Sequence, residues 1–361
     1  MVDKMKGYAV WGAVVGSIAL TLSPITQSAA FASVNSLAGK KVLFVPYWLD
    51  DFGTATSSWV TRDFKAAGIT VVTENPNAVT SAQLTTLETA VANHTYAGII
   101  WQPVDKDTAL TMIQKIEAAK IPQVVMGANV PETTVHFSES PVGYSTDYLQ
   151  AGEMAATYIK AHPELGPPTI AYQDVYPETG DTLLQFQSLV NGVRKVSPGA
   201  KVVYDQGANS QAQADTQMTN FLERHVKFNI FGGSGTALSM GGIQAIDGAG
   251  LGGAVPGSHG SLNKMPQHVY MVAAEGAPEE LALLWSPKSS LMASPTLSPK
   301  NSAENDFQLI MNELTGKTAY NQKAVVPIGY STIGTNCSLE RPLEVATYAG
   351  VKGFTIPQCP R

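Results

Sequence analysis

The sequence predicts an α/β protein made of two similar lobes, each a doubly wound parallel sheet. Short apolar runs alternate with segments of helical periodicity, a pattern typical of a parallel sheet covered by helices on both faces. The alternation stops and restarts around residues 142–156, VGYSTDYLQAGEMAA. A chain of 361 residues is also long enough for two compact lobes. We therefore expect residues 142–156 to form the junction between the lobes.

The first half of the chain contains short apolar runs that are too brief for helices and typical of buried strands. The predicted strands are residues 41–45, 69–72, 97–101 and 123–126. Between these runs the apolar residues recur at helical spacing. The predicted helices are residues 56–67, 81–93 and 105–119.

The second half continues in the same way after a helix predicted at residues 149–161. The further predicted strands are residues 169–172, 201–204, 229–231, 269–273 and 291–293. The further predicted helices are residues 181–196, 211–226, 235–247, 278–285 and 302–315. Residues 248–267 are rich in Gly and Pro, which predicts a surface loop.

The N-terminus has the pattern of a secretory signal peptide. Lys4 and Lys6 precede an apolar run of about 15 residues, which is shorter than the roughly 20 that cross a bilayer. Small residues follow, and we expect cleavage after Ala32, with Ala30 as the nearer alternative. A membrane anchor is the competing interpretation. We therefore expect residues 1–32 to be a signal peptide and the mature protein to be periplasmic.

Composition and motifs argue against several classes of protein. The net charge of -6 and the lack of clustered basic residues argue against nucleic-acid binding. The histidines never occur at the spacing that places two metal ligands on one helical face. The sequence has no GxSxG or GxxxxGK[ST] motif, and its GxGxxG letters at residues 248–253 follow a predicted helix rather than a strand. We expect no metal, no cofactor and no enzymatic activity.

The only cysteines are Cys337 and Cys359, both near the C-terminus. An even number of cysteines in an exported chain is most simply explained by one disulfide. Two free, buried thiols remain the alternative. We expect the bridge to close a C-terminal tail of residues 336–361.

Aromatic and polar side chains follow the predicted strands, where loops and helix N-termini converge in parallel sheets and ligands bind. The candidate ligand-binding residues are Tyr47, Trp48, Asp51, Phe52, Trp101, Gln102, Asn129, Asp147, Gln173, Asn209, Ser234 and Glu275. Trp48 and Trp101 offer flat apolar faces for a sugar or an aromatic ring, with core packing as the alternative. Asp50 and Asp51 either accept hydrogen bonds from a ligand or form a solvated turn and helix cap.

Five segments, in this order, resemble the type I periplasmic solute-binding proteins, the ribose-binding-like group that serves ABC importers. They are IIWQPVDKDTAL at 99–110, KIPQVVMG at 120–127, YSTDYLQAGEMAA at 144–156, IFGGSGTALSMGGIQAI at 230–246 and VYMVAAEGAPEEL at 269–281. The resemblance covers roughly residues 40–327. It implies two lobes joined by a three-stranded hinge, with the ligand in the cleft between them.

The resemblance also implies how the chain divides into lobes. The N-terminal lobe is expected at residues 40–145 plus 298–326, and the C-terminal lobe at residues 146–297 plus 327–335. Residues 144–146 are then expected to be the first of the three crossings.

The resemblance also implies roles for individual residues. Gln102 stands where the family has a ligand-contacting amide, and Glu275 stands where sugar-binding relatives usually carry Asp. Asp147 lies in the family's junction motif and is expected either to contact the ligand or to cap the helix behind it.

The sequence also departs from the family at several polar positions. Gly127 and Ala128 replace a common Asp-Arg pair, Ser234 replaces Asn, and Leu297 replaces Gln. These differences imply a more apolar pocket and a ligand other than ribose or a simple pyranose.

The function implied is capture of a small ligand, sugar-like or another small polar or aromatic molecule, for an ABC importer. The expected partners are that ligand and an importer permease or a membrane sensor, with the protein itself a monomer. A chemosensory receptor of the same fold is one alternative, and a secreted enzyme on a doubly wound fold is another.

Overall fold

The computed structural model describes residues 37–127, 136–177, 179–252, 269–284, 291–318, 325–327, 333–334 and 351–352. The predicted signal peptide, Asn129 and both cysteines lie outside the described residues.

The first part of the chain alternates strands and helices, as the apolar pattern predicts. Its elements are β1 Lys41–Val45, α1 Asp51–Ala66, β2 Thr70–Thr73, α2 Thr80–Asn93, β3 Gly98–Trp101, α3 Lys106–Ala118, β4 Gln123–Met126 and β5 His136–Ser140. Helix α4, Pro141–Ala161, follows β5 directly, and a 3₁₀ helix at Pro163–Leu165 follows α4.

The second part repeats the alternation. Its elements are β6 Thr169–Val175, α5 Gly180–Val196, β7 Lys201–Ala208, α6 Gln211–Leu222, β8 Ile230–Gly233, α7 Thr236–Gly248, β9 Tyr270–Val272, α8 Pro278–Leu284 and β10 Leu291–Pro295. The remaining described elements are α9 Pro299–Leu314, β11 Val325–Pro327 and β12 Ile333–Gly334.

The described strands form two six-stranded sheets, which defines the two lobes. The first sheet has the order β11-β5-β4-β3-β1-β2, and the second has the order β12-β10-β9-β8-β6-β7. The strands pair in parallel, except that β12 is antiparallel to β10. Within the first sheet β1 pairs with both the edge strand β2 and β3, and its residues from Val42 onward are fully buried. The predicted fold class, two doubly wound parallel-sheet lobes, is confirmed.

Within the described residues the chain passes between the sheets three times. The first crossing is the junction of β5 and α4 at Ser140 and Pro141, since β5 belongs to the first sheet and α4 packs mainly on α5 of the second lobe. The second crossing leads from β10 to α9, which packs on α1, and the third leads from β11 to β12. These crossings form the expected three-stranded hinge.

The first crossing lies before the segment expected to form it. Residues 144–146 belong to the continuous helix α4, and the crossing falls four residues earlier at Ser140–Pro141. The sequence HFSES of β5 is polar and was not predicted as a strand, so the strand that enters the hinge was missed. Proline is favoured at the first position of a helix because its absent N–H needs no partner there.

Some observed helix ends also differ from the predicted ones, because a polar cap defines the end of a helix more sharply than the spacing of apolar residues does. Helix α1 begins at Asp51, five residues before the predicted start, since Asp50 caps it with a side-chain hydrogen bond to the Gly53 N–H. None of the helices in the described ranges is both long enough and apolar enough to cross a membrane.

Candidate functional site

A cavity lies between the lobes at the carboxyl ends of the strands. It contains about 510 Å³ of space free of protein atoms, part of it open to solvent. The described residues that line it are Tyr47, Trp48, Asp50, Phe52, Gln102, Val175, Thr179, Thr182, Gln185, Gly235, Glu275 and Leu297. The two lobes therefore both contribute side chains to one cavity.

The first lobe contributes an aromatic wall from the segment that links β1 to α1. Tyr47 and Phe52 are each 4% exposed, and the ring of Tyr47 meets the ring of Trp48 edge to face at a centroid distance of 5.3 Å. The backbone N–H of Tyr47 donates to Oε1 of Gln102 at 3.3 Å. The ring contact and the hydrogen bond together hold this wall at the cavity.

Asp50 has two roles at this wall. Its Oδ1 accepts a hydrogen bond from the Gly53 N–H at 2.8 Å, and its Oδ2 accepts one from the indole N–H of Trp48. Burial raises the pKa of Asp50 to about 6, against the opposing effect of these hydrogen bonds. Asp50 is thus both the helix cap and a cavity residue, whereas Asp51 is the first residue of α1 and is not among the described lining residues.

Gln102 is positioned by the end of β3. Its backbone N–H donates to the Val45 carbonyl at 2.9 Å, and its own carbonyl accepts from Nε2 of Gln83 at 2.7 Å. With Oε1 accepting from Tyr47, the side chain is held at the cavity. Among the described residues, Nε2 of Gln102 has no acceptor.

The second lobe contributes Glu275, at the turn between β9 and α8. Its backbone has a φ of 73°, an uncommon conformation for a residue other than glycine. Oε2 accepts from the Thr236 N–H at 3.0 Å and from the Thr236 hydroxyl at 2.9 Å, which ties Glu275 to the start of α7. Within the described part of the chain, Oε1 has no hydrogen-bond donor. Burial, followed by the charges of Asp50 and Glu280, raises the pKa of Glu275 well above its usual value.

Glu280 holds the Glu275 turn in place. Its carboxylate accepts from the N–H of Ala274 at 3.1 Å, the N–H of Gly276 at 2.8 Å and the hydroxyl of Ser294 at 2.9 Å. Burial raises the pKa of Glu280 to about 8. Sequence reasoning missed this residue, although the closely spaced acids of AAEGAPEE were a signal.

Sequence reasoning also missed Thr179, Thr182 and Gln185, because it searched strand ends and these residues belong to the start of α5. Thr179 caps the helix in a capping box with Thr182. Because these residues are three apart in the sequence, their side chains lie on one face of α5, and this face lines the cavity. Gln185 is 3% exposed, and its Oε1 has no hydrogen-bond donor among the described residues.

Two predicted site residues belong to the interior of their lobes. Trp101 is 1% exposed and packs in the core of the first lobe, and its indole N–H donates to Oε1 of Gln123 at 3.1 Å. Gln173 is fully buried; its Nε2 donates to the Gln206 carbonyl, and its Oε1 accepts from the Tyr204 hydroxyl at 2.9 Å. Trp101 therefore has the core role that was its alternative, and the amide of Gln173 is satisfied within the second lobe.

Asn209 and Ser234 also lie away from the described cavity lining. Asn209 is exposed in the turn before α6. Ser234 is fully buried; its hydroxyl donates to Oδ1 of Asp174 at 3.1 Å and accepts from the hydroxyl of Tyr172 at 2.8 Å. Its neighbour Gly235 lines the cavity instead, which places the backbone of this turn against the ligand space.

Asp147 is 8% exposed and lies in the interior of α4, seven residues into the helix. The expectation that it caps this helix is wrong, because a cap precedes the first turn. Asp147 is not among the described residues that line the cavity. Leu297 does line it, with an apolar side chain.

The lobes contact each other beside the cavity. The hydroxyl of Tyr47 donates to the carbonyl of Pro177 at 3.3 Å. Tyr47 also joins an apolar cluster that includes Val104 of the first lobe and Val175 and Leu238 of the second. The described residues contain no group of His, Cys, Asp and Glu side chains arranged to hold a metal.

Comparison with known proteins identifies the family. A profile of the family described as the periplasmic binding protein domain matches residues 42–318. Because this match spans more than half of the sequence, the chain belongs to that family. No curated protein matches the chain in sequence.

Solved structures share the fold at low sequence identity. A protein from Mycobacterium smegmatis in complex with β-D-fucofuranose has a TM-score of 0.67 and 16% identity, over 82% of this chain and 91% of that chain. A solute-binding protein of an ABC transporter from Bacillus halodurans, with bound myo-inositol, has a TM-score of 0.64 and 15% identity, over 83% and 95%. One from Agrobacterium vitis with bound D-fucose has a TM-score of 0.67 and 16% identity, over 84% and 97%.

Proposed function

We propose that this protein is a periplasmic solute-binding protein that captures a small, sugar-like ligand between its closing lobes and delivers it to an ABC importer. The observation that carries the proposal is the cavity lined from both lobes, with Trp48 and Gln102 on one side and Gln185 and Glu275 on the other. A ligand that contacts both sides stabilises the closed form over the open form.

The chemistry of the lining suits a polyhydroxylated solute. The aromatic wall around Trp48 can pack against the C–H face of a ring, while the amides of Gln102 and Gln185 can donate to and accept from hydroxyl groups. The similar structures contain β-D-fucofuranose, myo-inositol and D-fucose. A polyol or a sugar is therefore the first ligand class to test, with Leu297 favouring a less polar member of it.

The proposal also covers the location of the protein and its partners. The signal-peptide pattern of residues 1–32 supports a periplasmic location, and family membership supports a transport partner. We expect the closed protein to be a monomer that docks on an importer permease. The described residues that line the cavity form no catalytic constellation, so binding is proposed in preference to an enzymatic reaction.

A membrane sensor is the second candidate partner, because the same closure would serve it equally well. Reconstitution of the ligand-loaded protein with a candidate permease and ATPase separates the two, since ATP hydrolysis rises only if the partner is an importer.

The proposal is tested by thermal denaturation against sugars, polyols, aromatic acids and nucleosides. A ligand that binds only the folded state raises the melting temperature by mass action. Each compound that does so is then incubated with the protein and analysed for product. Stabilisation without turnover supports solute binding, whereas conversion of a bound compound would support the secreted enzyme instead.

A further inference from the structure

We propose that the ligand of this cleft is a polyhydroxylated amine, a compound that carries a protonated amino group beside its hydroxyl groups. This inference rests on the proposed function, because it names the class of solute that the cleft takes.

The first observation is that the two lobes each present a carboxylate to the same cavity. Asp50 comes from the first lobe and Glu275 from the second. Burial and then the charge of Asp50 raise the pKa of Glu275, so the two carboxylates interact through space. Like charges that face each other repel more strongly as water leaves the cleft, and the raised pKa values of Asp50 and Glu275 show that without a cation this repulsion is relieved by binding a proton. A cation between them converts this repulsion into two attractions.

The described residues supply no such cation. The described lining includes no Lys, Arg or His, and no described basic side chain lies within ion-pair distance of Asp50 or Glu275. A positive charge on the solute would balance the carboxylates at the moment of closure.

The second observation is independent of charge. Gln185 lines the cavity, is 3% exposed, and has no hydrogen-bond donor for its Oε1 among the described residues. A buried carbonyl oxygen left without a donor destabilises the folded protein. With Oε1 of Glu275 and the oxygens of Asp50, the cavity is rich in acceptors, so it favours a solute rich in donors. An ammonium group provides three donors and no acceptor.

Helix capping accounts for part of this arrangement but not all of it. Asp50 caps α1, and Glu275 accepts from the first N–H of α7, so each carboxylate lies at a helix N-terminus. Capping at Thr236 uses only Oε2 of Glu275, and Oε1 remains for a ligand in the cavity. The aromatic face of Trp48 adds a surface that attracts cations.

The test compares matched compounds. D-glucosamine, D-galactosamine and D-mannosamine are each titrated calorimetrically at neutral pH beside the neutral parent sugar and the neutral N-acetyl derivative. D-fucose, myo-inositol and other neutral sugars and polyols form a separate panel. We expect at least one amine to bind about tenfold or more tightly than its parent and its N-acetyl derivative.

Glu275→Gln is the matched variant, because a glutamine carbonyl can still accept from Thr236 while the negative charge is removed. We expect the amine preference to fall by about tenfold in Glu275→Gln. The control is Glu223→Gln, which removes an exposed carboxylate of the second lobe outside the described lining and should change amine affinity by less than about threefold.

Each result decides a different point. If a neutral compound binds tightly and its amino counterpart binds no better, solute binding stands and the amine inference is overturned. If the amine preference survives Glu275→Gln in folded protein, the assignment to this carboxylate is overturned. If no compound of either panel raises the melting temperature or gives a heat of binding, the proposed capture of sugar-like solutes fails as well.

Discussion

The hydroxyl of Tyr47 donates to the carbonyl oxygen of Pro177 across the cleft, at 3.3 Å. The donor belongs to the segment after β1 and the acceptor to the segment after β6, so this bond joins corresponding edges of the two lobes. It lies beside the cavity that Tyr47 also lines. One side chain therefore both lines the cavity and joins the two lobes.

Tyr47→Phe should shift the protein towards the open form. The substitution removes a hydrogen bond whose net contribution is about 0.5–1.5 kcal/mol and keeps the aromatic packing on Trp48. Small-angle scattering should then give a larger radius of gyration than for the wild type at the same ligand concentration. Tyr204→Phe is the control, because its hydroxyl bonds to Gln173 within the second lobe. Equal radii for Tyr47→Phe and wild type would show that this bond does not favour closure.

Gln173 and Gln185, two of the buried glutamines of the described residues, should respond in opposite ways to substitution by Met. Gln173→Met leaves the Tyr204 hydroxyl and the Gln206 carbonyl without their partner, so we expect a loss of about 2–4 kcal/mol in unfolding free energy. Ligand affinity should stay nearly constant.

Gln185→Met removes a buried oxygen that has no donor among the described residues, so stability should hold or increase while affinity falls about tenfold. Chemical denaturation and calorimetry measure the two quantities separately. A stability loss in Gln185→Met without a change in affinity would contradict its assignment to the site.

Trp48 and Trp101 should give different fluorescence responses to a ligand found in the thermal screen. Trp48 lines the cavity, whereas Trp101 is 1% exposed in the core. We expect Trp48→Phe to lose most of the ligand-dependent change in emission and Trp101→Phe to retain it at the cost of stability. Retention of the full signal in Trp48→Phe would place the ligand elsewhere.

Stability should decrease as pH rises, because buried carboxyl groups lose protons. Burial raises the pKa of Glu280 to about 8 and that of Asp50 to about 6, both above the unfolded values of 4.5 and 3.8. Such groups contribute most to stability below the unfolded pKa, and the contribution is lost as pH rises through the folded pKa. We expect the free energy of unfolding to fall between about pH 5 and about pH 9.

Glu280→Gln checks the origin of this dependence. The amide cannot ionise, so the slope of unfolding free energy against pH should be smaller between about pH 6 and about pH 9. The variant should also be less stable than wild type at low pH, since its NH₂ group faces one of the donors that Glu280 accepts from. A slope equal to that of wild type would assign the dependence to other groups.

The sequence alone was sufficient to predict the strands that consist of a buried apolar run. Strands β1 and β4 have the predicted bounds, because central parallel strands are apolar on both faces. Strand β5 was missed because HFSES carries no apolar pattern, and this strand enters the hinge. The first crossing was therefore placed several residues too late.

For the site, position along the strand was predictable but side-chain direction was not. Successive residues of a strand point to opposite sides, so Trp101 packs in the core while its neighbour Gln102 reaches the cavity. Thr179 and Gln185 lie on a helix that reaches the cavity only through tertiary packing. No local pattern identifies which face of α5 meets the first lobe.

The carboxylate of Asp50 gives the first lobe a negative charge at the cavity. A helix N-terminus carries a positive partial charge from its unpaired N–H groups, and the N-terminus of α1 meets the cavity through Asp50. A serine at this position would still cap the helix, yet it would leave that positive end unmasked. Helix N-termini bind anions readily. On the proposed function, this one residue thus separates a cleft that favours cationic solutes from one that could also bind phosphates or carboxylates.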